Sequence, residues 1–271
     1  MKKFITLILT LCIALGSAVC LSSCGKRLEY DDYEKYTPGT WAENLLISSI
    51  DIEWAGGKVE IASHEYGHYL SCSEAYEGEI PEDMEMRWYF DGQTLRIKPA
   101  ADGVQYNRIP EKTLTVYIPF NYSFNDIDIK TESADISVSD SNANFAEINT
   151  VSGNIDVNFI SSSQELDIES GSGSVNVKAH VKKSIEITTA SGSVTVDNKA
   201  VPAETEITTA SGDITYKLPE DAAFTAEIYT ASGNITKDFY GEEKNGKFVV
   251  NDGTSEIEIS SASGDIKLGF R

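Results

Sequence analysis

The chain has 271 residues, 41% of them hydrophobic, which is enough to build a sizeable core in one elongated domain or two. Its 43 acidic residues outnumber its 22 basic ones and give a net charge of −21, so we expect no nucleic-acid partner, because phosphate backbones bind basic surfaces. The same charge either keeps the protein soluble beside an anionic envelope or attracts cationic ligands.

The first 23 residues have the layout of an export signal. Lys2 and Lys3 precede an apolar stretch over residues 4–19. A plain signal peptide without a lipid and an uncleaved anchor helix are the alternatives, but the stretch barely reaches the ~18 to 20 residues that a spanning helix needs. We predict a signal peptide over residues 1–23.

A lipid-attachment motif ends this signal. Leu21-Ser22-Ser23-Cys24 resembles the lipobox of bacterial lipoproteins, in which small residues precede a cysteine that is acylated and becomes the first mature residue. The resemblance implies that Cys24 carries the lipid, such as palmitate, and anchors an exported protein. The anchored protein would be located at the outer membrane, the cell surface or the outer face of the plasma membrane. Only Cys72 then remains, so no intramolecular disulfide can form.

The next segment, residues 24–44, is polar and acidic, with a Pro38-Gly39 breaker and no sustained apolar period. We interpret it as the acylated cysteine followed by a flexible acidic tether.

Residues 45–128 are predicted to form an irregular N-terminal region of β-coils or a cap. Apolar strands between residues 68 and 120 are separated by prolines and an Asp-Gly pair, which favours wide coils with larger loops. One diverged copy of the later repeat lies upstream of them, at Ile52, Trp54, Gly57, Val59 and Ile61.

The sequence HEYGH at residues 64–68 matches H-E-x-x-H, in which two histidines one helical turn apart bind zinc and the glutamate activates water. His64 and His68 are therefore weak metal candidates. The segment follows a strand-like KVEI and contains Gly67, and the only other histidine, His180, lies in the repeats. We expect no metal, no other cofactor and no zinc hydrolase.

Seven segments align without gaps from residue 129 onward, at spacings of 19, 20, 19, 20, 21 and 31 residues. Apolar residues alternate within each segment, which predicts two short strands with one buried face on either side of a corner. The segments begin at Ile129, Ile148, Ile168, Ile187, Ile207, Ile228 and Ile259.

Glycine at the corner supplies the backbone freedom of a tight turn. The first repeat has Ala134 at this position, so its corner should differ. The structural corner glycines are Gly153, Gly173, Gly192, Gly212, Gly233 and Gly264.

Identical residue types at equivalent positions predict an all-β fold, a β-solenoid or parallel β-helix-like stack of ~20-residue coils over residues 129–271. An antiparallel β meander is the alternative, since Ser-Gly-Asn and Ser-Gly-Asp also suit hairpin turns. The spacing of 31 predicts an insertion at about 237–252, a loop or hairpin that covers an open sheet edge.

The repeats contain residue types suited to two kinds of chemistry, calcium binding and the cleavage of polysaccharides. Corner carboxylates and amides are calcium-binding types, but ordinary turn chemistry explains them better. Parallel β-helices also include polysaccharide lyases and hydrolases, yet carboxylates occur in every repeat and no acid–base pair stands out. We therefore name no catalytic residue. The corner residues concerned are Asp135, Asn154, Asp213, Asn234 and Asp265.

Four elements recur along the chain: the upstream GGKVEI coil, the DGQTLRI strand pair, LTVYIP, and the S-G-D-I and S-G-N-I cores. The order of these elements resembles that of the bacterial envelope proteins known as "putative adhesins", and the resemblance covers residues 46–271. The resemblance implies a β-solenoid without established catalytic residues, in a family with some members connected to envelope-stress sensing.

We therefore expect a non-catalytic, lipid-anchored scaffold or binding module that contacts an envelope glycan, a peptide or another protein. Its flat face and the loops of residues 62–112 would make the contact. One alternative is an envelope-stress sensor that captures cationic peptides, and another is a carbohydrate-active enzyme. Open solenoid ends would permit end-to-end pairing, and the oligomeric state stays open.

Overall fold

A computed structural model describes residues 26–43, 46–64, 69–161 and 163–271. This part of the chain is nearly all β, with 21 strands and three short 3-10 helices: η1 (Tyr33–Lys35), η2 (Glu82–Met84) and η3 (Tyr106–Arg108). No helix within it has the length and apolarity needed to cross a membrane.

The strands fall into an upstream group and a repeat group. The upstream strands are β1 (Thr37–Pro38), β2 (Trp41–Glu43), β3 (Ser49–Ser63), β4 (Leu70–Ala75), β5 (Arg87–Asp91), β6 (Thr94–Lys98) and β7 (Lys112–Ile118). The repeat strands are β8 (Tyr122–Ser152), β9 (Ile155–Phe159), β10 (Ser163–Ser172), β11 (Val175–Ala179), β12 (Val181–Ser191), β13 (Val194–Asn198), β14 (Glu204–Ser211), β15 (Ile214–Leu218), β16 (Phe224–Ser232), β17 (Ile235–Asp238), β18 (Glu242–Lys244), β19 (Lys247–Val250), β20 (Ser255–Ser263) and β21 (Ile266–Phe270).

Successive repeats pair in parallel and in register, as Ile168↔Ile187 and Ile187↔Ile207 show for the first strands. The second strands pair in the same way, with Val175↔Val194. The predicted all-β solenoid is therefore confirmed, and the antiparallel meander is wrong. The described residues form nine parallel layers. At ~4.8 Å between neighbouring layers, the stack is about 38 Å long.

The isoleucines of the first strands and the Ile or Val residues of the second strands form two buried ladders. Most of them are at most 2% exposed, and each fully buried side chain contributes roughly 1.5 to 3 kcal/mol before the loss of chain entropy. Ile228 is only partly buried and Ile235 is 40% exposed, because both lie in the last layer of the stack.

The upstream coil is also present. β3 pairs in parallel with β8, so that Ile52 lies beside Ile129, Trp54 beside Thr131 and Gly57 beside Ala134. On its other side β3 pairs in parallel with β6 and β7, which adds a further layer upstream.

The layers do not follow chain order at the C-terminal end. The seventh repeat, β20 with β21, lies between the fifth repeat and the sixth: β20 pairs with β14 on one side and β16 on the other. The stack therefore departs from sequence order at this end. Strands of near-identical sequence can pair with one another equally well. The segment that connects the sixth repeat to the seventh therefore determines the order of the layers.

The predicted insertion forms that connection. β18 and β19 make an antiparallel hairpin, and β19 pairs antiparallel with β16, with Phe224 opposite Val250. The hairpin covers part of the last sheet edge, as expected. β17 has a strand partner on one side only, β21.

The N-terminal end is closed by antiparallel strands: β5 pairs with β6, and β4 pairs with β7. The flexible tether predicted for residues 24–44 is wrong for residues 26–43, which dock on this cap through β1 and β2. Leu28 is fully buried and Trp41 is 4% exposed. Two isolated apolar residues, too few to produce a period, hold the segment in place.

Candidate functional site, an acidic ladder on the solenoid face

The residue before the first isoleucine of every repeat is acidic, and it points outward because neighbouring side chains of a strand alternate between faces. Parallel in-register pairing places these carboxylates in one row along the stack, which we call the acidic ladder. In spatial order its rungs are Asp51, Asp128, Glu147, Asp167, Glu186, Glu206, Glu258 and Glu227.

Cations of the protein itself neutralise both ends of the acidic ladder. Arg96 bonds to Asp51 at one end, and Lys247 of the hairpin lies 3.3 Å from Glu227 at the other. Lys130 contacts Asp128 at 3.0 Å and Glu147 at 3.6 Å.

The four central rungs differ from the ends. Within the described ranges, no lysine, arginine or histidine nitrogen lies within 4.0 Å of their carboxylates. Further carboxylates flank them, including Glu204 and Glu256 beside a shallow cavity. The central rungs are Asp167, Glu186, Glu206 and Glu258.

This crowding changes proton affinity. Burial and then the neighbouring carboxylates of Glu186, Glu169 and Glu147 raise the pKa of Asp167 to about 6. Burial, followed by repulsion from Glu258, Glu186 and Glu204, also raises the pKa of Glu206. Burial and then Glu227 raise the pKa of Glu258, and Lys247 opposes this rise. The ionised carboxylates of Asp167, Glu206 and Glu258 therefore carry a repulsive cost that a bound cation would relieve.

We expect Asp167→Asn to stabilise the protein at pH 7.5. Because the folded pKa lies above the unfolded value of about 3.9, the ionised carboxylate destabilises the fold above pH 6, and this cost disappears as the pH falls toward 4. Since much of the residue remains exposed to solvent, which screens the repulsion, we expect a gain below about 1 kcal/mol. Thermal unfolding at pH 7.5 and pH 4 measures it.

Asp156→Asn is the matched control, because Asp156 points outward from the second strand of its repeat. There it lies between the neutral residues Ser137 and Asn176 of the neighbouring layers. It should have little effect at either pH. Equal gains for the two variants at pH 7.5, or a gain for Asp167→Asn that persists at pH 4, would contradict the repulsion.

The corner residues form a second row with a structural role. The Asp135 carboxylate accepts the Asn154 backbone N–H at 2.7 Å, and the Asn154 amide oxygen accepts the Ser174 N–H at 3.0 Å. Asp213 and Asp265 accept N–H groups of the following layers in the same way. These hydrogen bonds join one coil to the next and do not close turns within a coil. The expectation of ordinary turn chemistry therefore named the right residues but the wrong hydrogen-bond partners.

The corner glycines have positive φ, from +128° at Gly173 to +159° at Gly264. An added Cβ at each would overlap the backbone of the preceding layer, as at Gly192 with the carbonyl oxygen of Gly173. Ala134 is not among the positive-φ residues, and the corner of the first repeat differs as expected.

The zinc motif lacks its helical setting at His64. The His64 backbone N–H donates to Ile118 O at 2.8 Å, which continues the β3–β7 pairing, and the ring stacks on Tyr117 at 4.9 Å. His68 lies outside the described residues. In the part of the chain that can be described, no three His, Cys, Asp or Glu side chains cluster as metal ligands.

The structure describes Cys72 but not Cys24. Cys24 lies outside the described residues, and its acylation stays a prediction. Cys72 is fully buried, and burial raises the pKa of its thiol to about 12, so it is not a reactive nucleophile.

The sequence interpretation missed the acidic ladder as a unit. The signal was available as an acid–isoleucine pair at the start of all seven repeats and at Asp51-Ile52. Alignment of these acids into one row depends on the register of the stack, which the sequence alone does not specify.

Comparison with solved structures gives distant resemblances in fold. A "putative cell adhesion protein" from Clostridium sporogenes is 12% identical, with 87% of this chain and 100% of that chain covered and a TM-score of 0.40. A "putative adhesin" from Bacteroides fragilis is 11% identical, with 86% and 98% covered and a TM-score of 0.40. A "putative lipid binding protein" from Parabacteroides distasonis is 14% identical, with 89% and 99% covered and a TM-score of 0.31.

No curated protein matches the chain. The family model described as Toastrack DUF4097 matches residues 49–269, from the first coil through the last strand. The chain therefore belongs to the Toastrack DUF4097 family.

Proposed function

We propose that this protein is a lipid-anchored, non-catalytic binding scaffold of the bacterial cell envelope, and that its acidic ladder binds a cationic partner. The observation that carries the proposal is the row of four central carboxylates, none of which has a lysine, arginine or histidine nitrogen of the described residues within 4.0 Å. A partner that supplies positive charge would relieve their mutual repulsion.

Contacts within the chain support this choice of ligand. Lys247 reaches the last rung from the hairpin, and Lys130 bridges Asp128 and Glu147. An ammonium group on a flexible stem therefore fits the outer face of this sheet. The central rungs span about 14 Å at ~4.8 Å per layer, which an extended basic peptide covers with four or five residues at ~3.3 Å each.

The regular spacing of the rungs supports binding over catalysis in this proposal. In-register pairing repeats one outward carboxylate in each central layer, which suits a partner with regularly spaced positive charges. Capture of cationic peptides, as an envelope-stress sensor would perform, is the use of the scaffold that this surface favours. The adhesin-like role is the broader form of the same proposal.

The anchor sets the orientation in this proposal. Residues 26–43 dock on the N-terminal cap, so a lipid on Cys24 would hold that cap close to the membrane while the acidic ladder extends from it. Replacing Cys24 with serine should move the protein from the membrane fraction to the soluble fraction, and the intact mass of the membrane form should include the acyl chains.

The binding test uses the full chain, purified from membranes in a zwitterionic detergent, and a fluorescein-labelled lysine octapeptide. We expect anisotropy titrations to show binding at 20 mM NaCl that weakens at least tenfold at 300 mM, since exposed charge pairs are screened by salt. Replacing all four central rungs by their amides (Asp167→Asn, Glu186→Gln, Glu206→Gln and Glu258→Gln) should remove most of the affinity.

The matched control removes four exposed carboxylates elsewhere: Glu77→Gln, Glu79→Gln, Glu220→Gln and Asp221→Asn. Both variants have the same net charge. If the two lose affinity equally, the peptide senses overall charge and the acidic ladder is not a binding site.

A further inference from the structure

We infer that the N-terminal cap contains a second binding site, a cleft for a neutral mono- or disaccharide, separate from the central rungs of the acidic ladder. The cleft has a volume of about 290 Å³. Its principal lining residues are Tyr30, Tyr36, Tyr89, Asp91, Arg96 and Lys98.

Three tyrosine rings form the apolar part of the cleft. The ring centroids of Tyr30 and Tyr36 are 4.7 Å apart with their planes at 63°, and those of Tyr36 and Tyr89 are 5.5 Å apart at 50°. All three side chains are half-buried, so ring surface remains open to the cleft. The C–H faces of a pyranose ring pack on electron-rich aromatic surfaces of this kind.

Polar groups around the rings are held in fixed positions. The Arg96 guanidinium donates through Nε and one terminal nitrogen to Asp91 Oδ2, at 3.2 and 3.1 Å, and through its other terminal nitrogen to Asp51. The Tyr30 hydroxyl donates to Ala100 O at 3.2 Å. Preorganised donors and acceptors beside an apolar surface are typical of small-molecule sites.

Most charges in the cleft are paired within the chain, which favours a neutral ligand. Arg96 is matched by Asp51 and Asp91, Lys98 lies 2.8 Å from Glu53, and Asp32 lies 3.1 Å from Lys35. Asp31 also lines the cleft and adds a carboxylate that repels anions. An anion would have to displace these carboxylates. A cation would compete with Lys98 for the Tyr30 ring, where the ammonium already lies 5.9 Å from the centroid.

A sugar fits these constraints because its hydroxyl groups both donate and accept hydrogen bonds without adding charge. The carboxylate of Asp91 can accept from a hydroxyl, and the ammonium of Lys98 can donate to one. The volume is near the lower end of small-molecule sites, about 300 Å³, which limits the ligand to one or two rings.

This inference depends on the proposed function only for placing the cap outside the cytoplasm, where envelope glycans occur. The two sites are tested separately, because the four-residue amide variant of the acidic ladder leaves all three tyrosines unchanged and should bind sugar normally.

The test uses the full chain in a detergent without a sugar headgroup, with lactose, cellobiose, mannobiose and N,N′-diacetylchitobiose as probes. We expect saturation-transfer NMR to detect binding of at least one probe, and calorimetry to show at least a tenfold loss of affinity in Tyr36→Ala. Tyr240→Ala is the matched control, because Tyr240 is fully exposed near the opposite end of the stack.

Asp91→Asn keeps the aromatic surface and covers the case in which Tyr36→Ala does not fold. It should weaken sugar binding at least threefold. The inference is overturned if none of the four probes shows transfer, if binding survives both Tyr36→Ala and Asp91→Asn, or if the amide variant of the acidic ladder abolishes it.

Discussion

Replacing Lys112 with methionine should lower the free energy of unfolding by about 3 to 5 kcal/mol, the cost of removing one partner from a buried ion pair. The Lys112 side chain is completely buried, and its ammonium donates to Glu74 at 2.5 Å, Met84 O at 2.6 Å and Pro99 O at 2.7 Å. It also lies 4.9 Å from the centroid of the Trp54 ring.

The cost arises from the groups left behind. Burial lowers the pKa of Lys112, and the Glu74 carboxylate opposes that decrease by favouring the charged form. Without the ammonium, a carboxylate that is only 8% exposed loses its counter-charge, and two buried carbonyl oxygens lose their donor. Urea unfolding followed by tryptophan fluorescence measures the change.

Two further variants separate the ion pair from general effects. Lys58→Met removes a lysine that pairs with Glu60 at 3.1 Å on the surface, and it should cost less than about 1 kcal/mol. Adding Glu74→Gln to Lys112→Met should restore part of the lost stability, since a neutral amide replaces the unpaired charge. A loss below 1 kcal/mol for Lys112→Met would contradict this account.

The second large effect is expected at the corner of a central coil. Gly192→Ala should destabilise the protein by about 3 kcal/mol or more, combining backbone strain of about 1 to 3 kcal/mol at φ +146° with overpacking of about 1 to 3 kcal/mol. The new methyl group would overlap the Gly173 carbonyl oxygen, so the layers could not keep their spacing.

Gly246→Ala isolates the strain from the overlap. Gly246 has φ +78°, but an added Cβ there meets no atom within 4 Å. This control should cost only about 1 to 2 kcal/mol, the penalty for one L-residue in a left-handed conformation. Equal midpoints in parallel urea titrations of the two variants would show that close stacking at the corner is not what requires glycine.

The repeat pattern predicted the core of this protein well, because identical isoleucines at equal spacing have one economical arrangement, an in-register stack. Ile187 and Val194 lie where alternation placed them. The diverged coil at Ile52 was recognisable for the same reason, since Gly57 kept its offset although Trp54 replaced a small residue.

Other features depend on contacts that a local pattern does not contain. Leu28 is a single apolar residue and belongs to no hydrophobic period. Its backbone N–H donates to Val104 O, which lies 76 residues further along the chain. The acidic ladder needed the register of six pairings before its rungs could be aligned. The saccharide cleft combines side chains from residues 30–36 with others from residues 89–98, and neither stretch indicates a site alone.

The position of the seventh repeat has a consequence for how the molecule is made. In most solenoids a growing chain can add each coil to the end of a finished stack, whereas here β20 and β21 must enter between two layers that are already synthesised. The sixth coil therefore has no parallel neighbour until residues 255–270 have been synthesised. A protein interrupted near residue 254 would lack an interior layer rather than a terminal one, so the stack can close only after residues 255–270 are present.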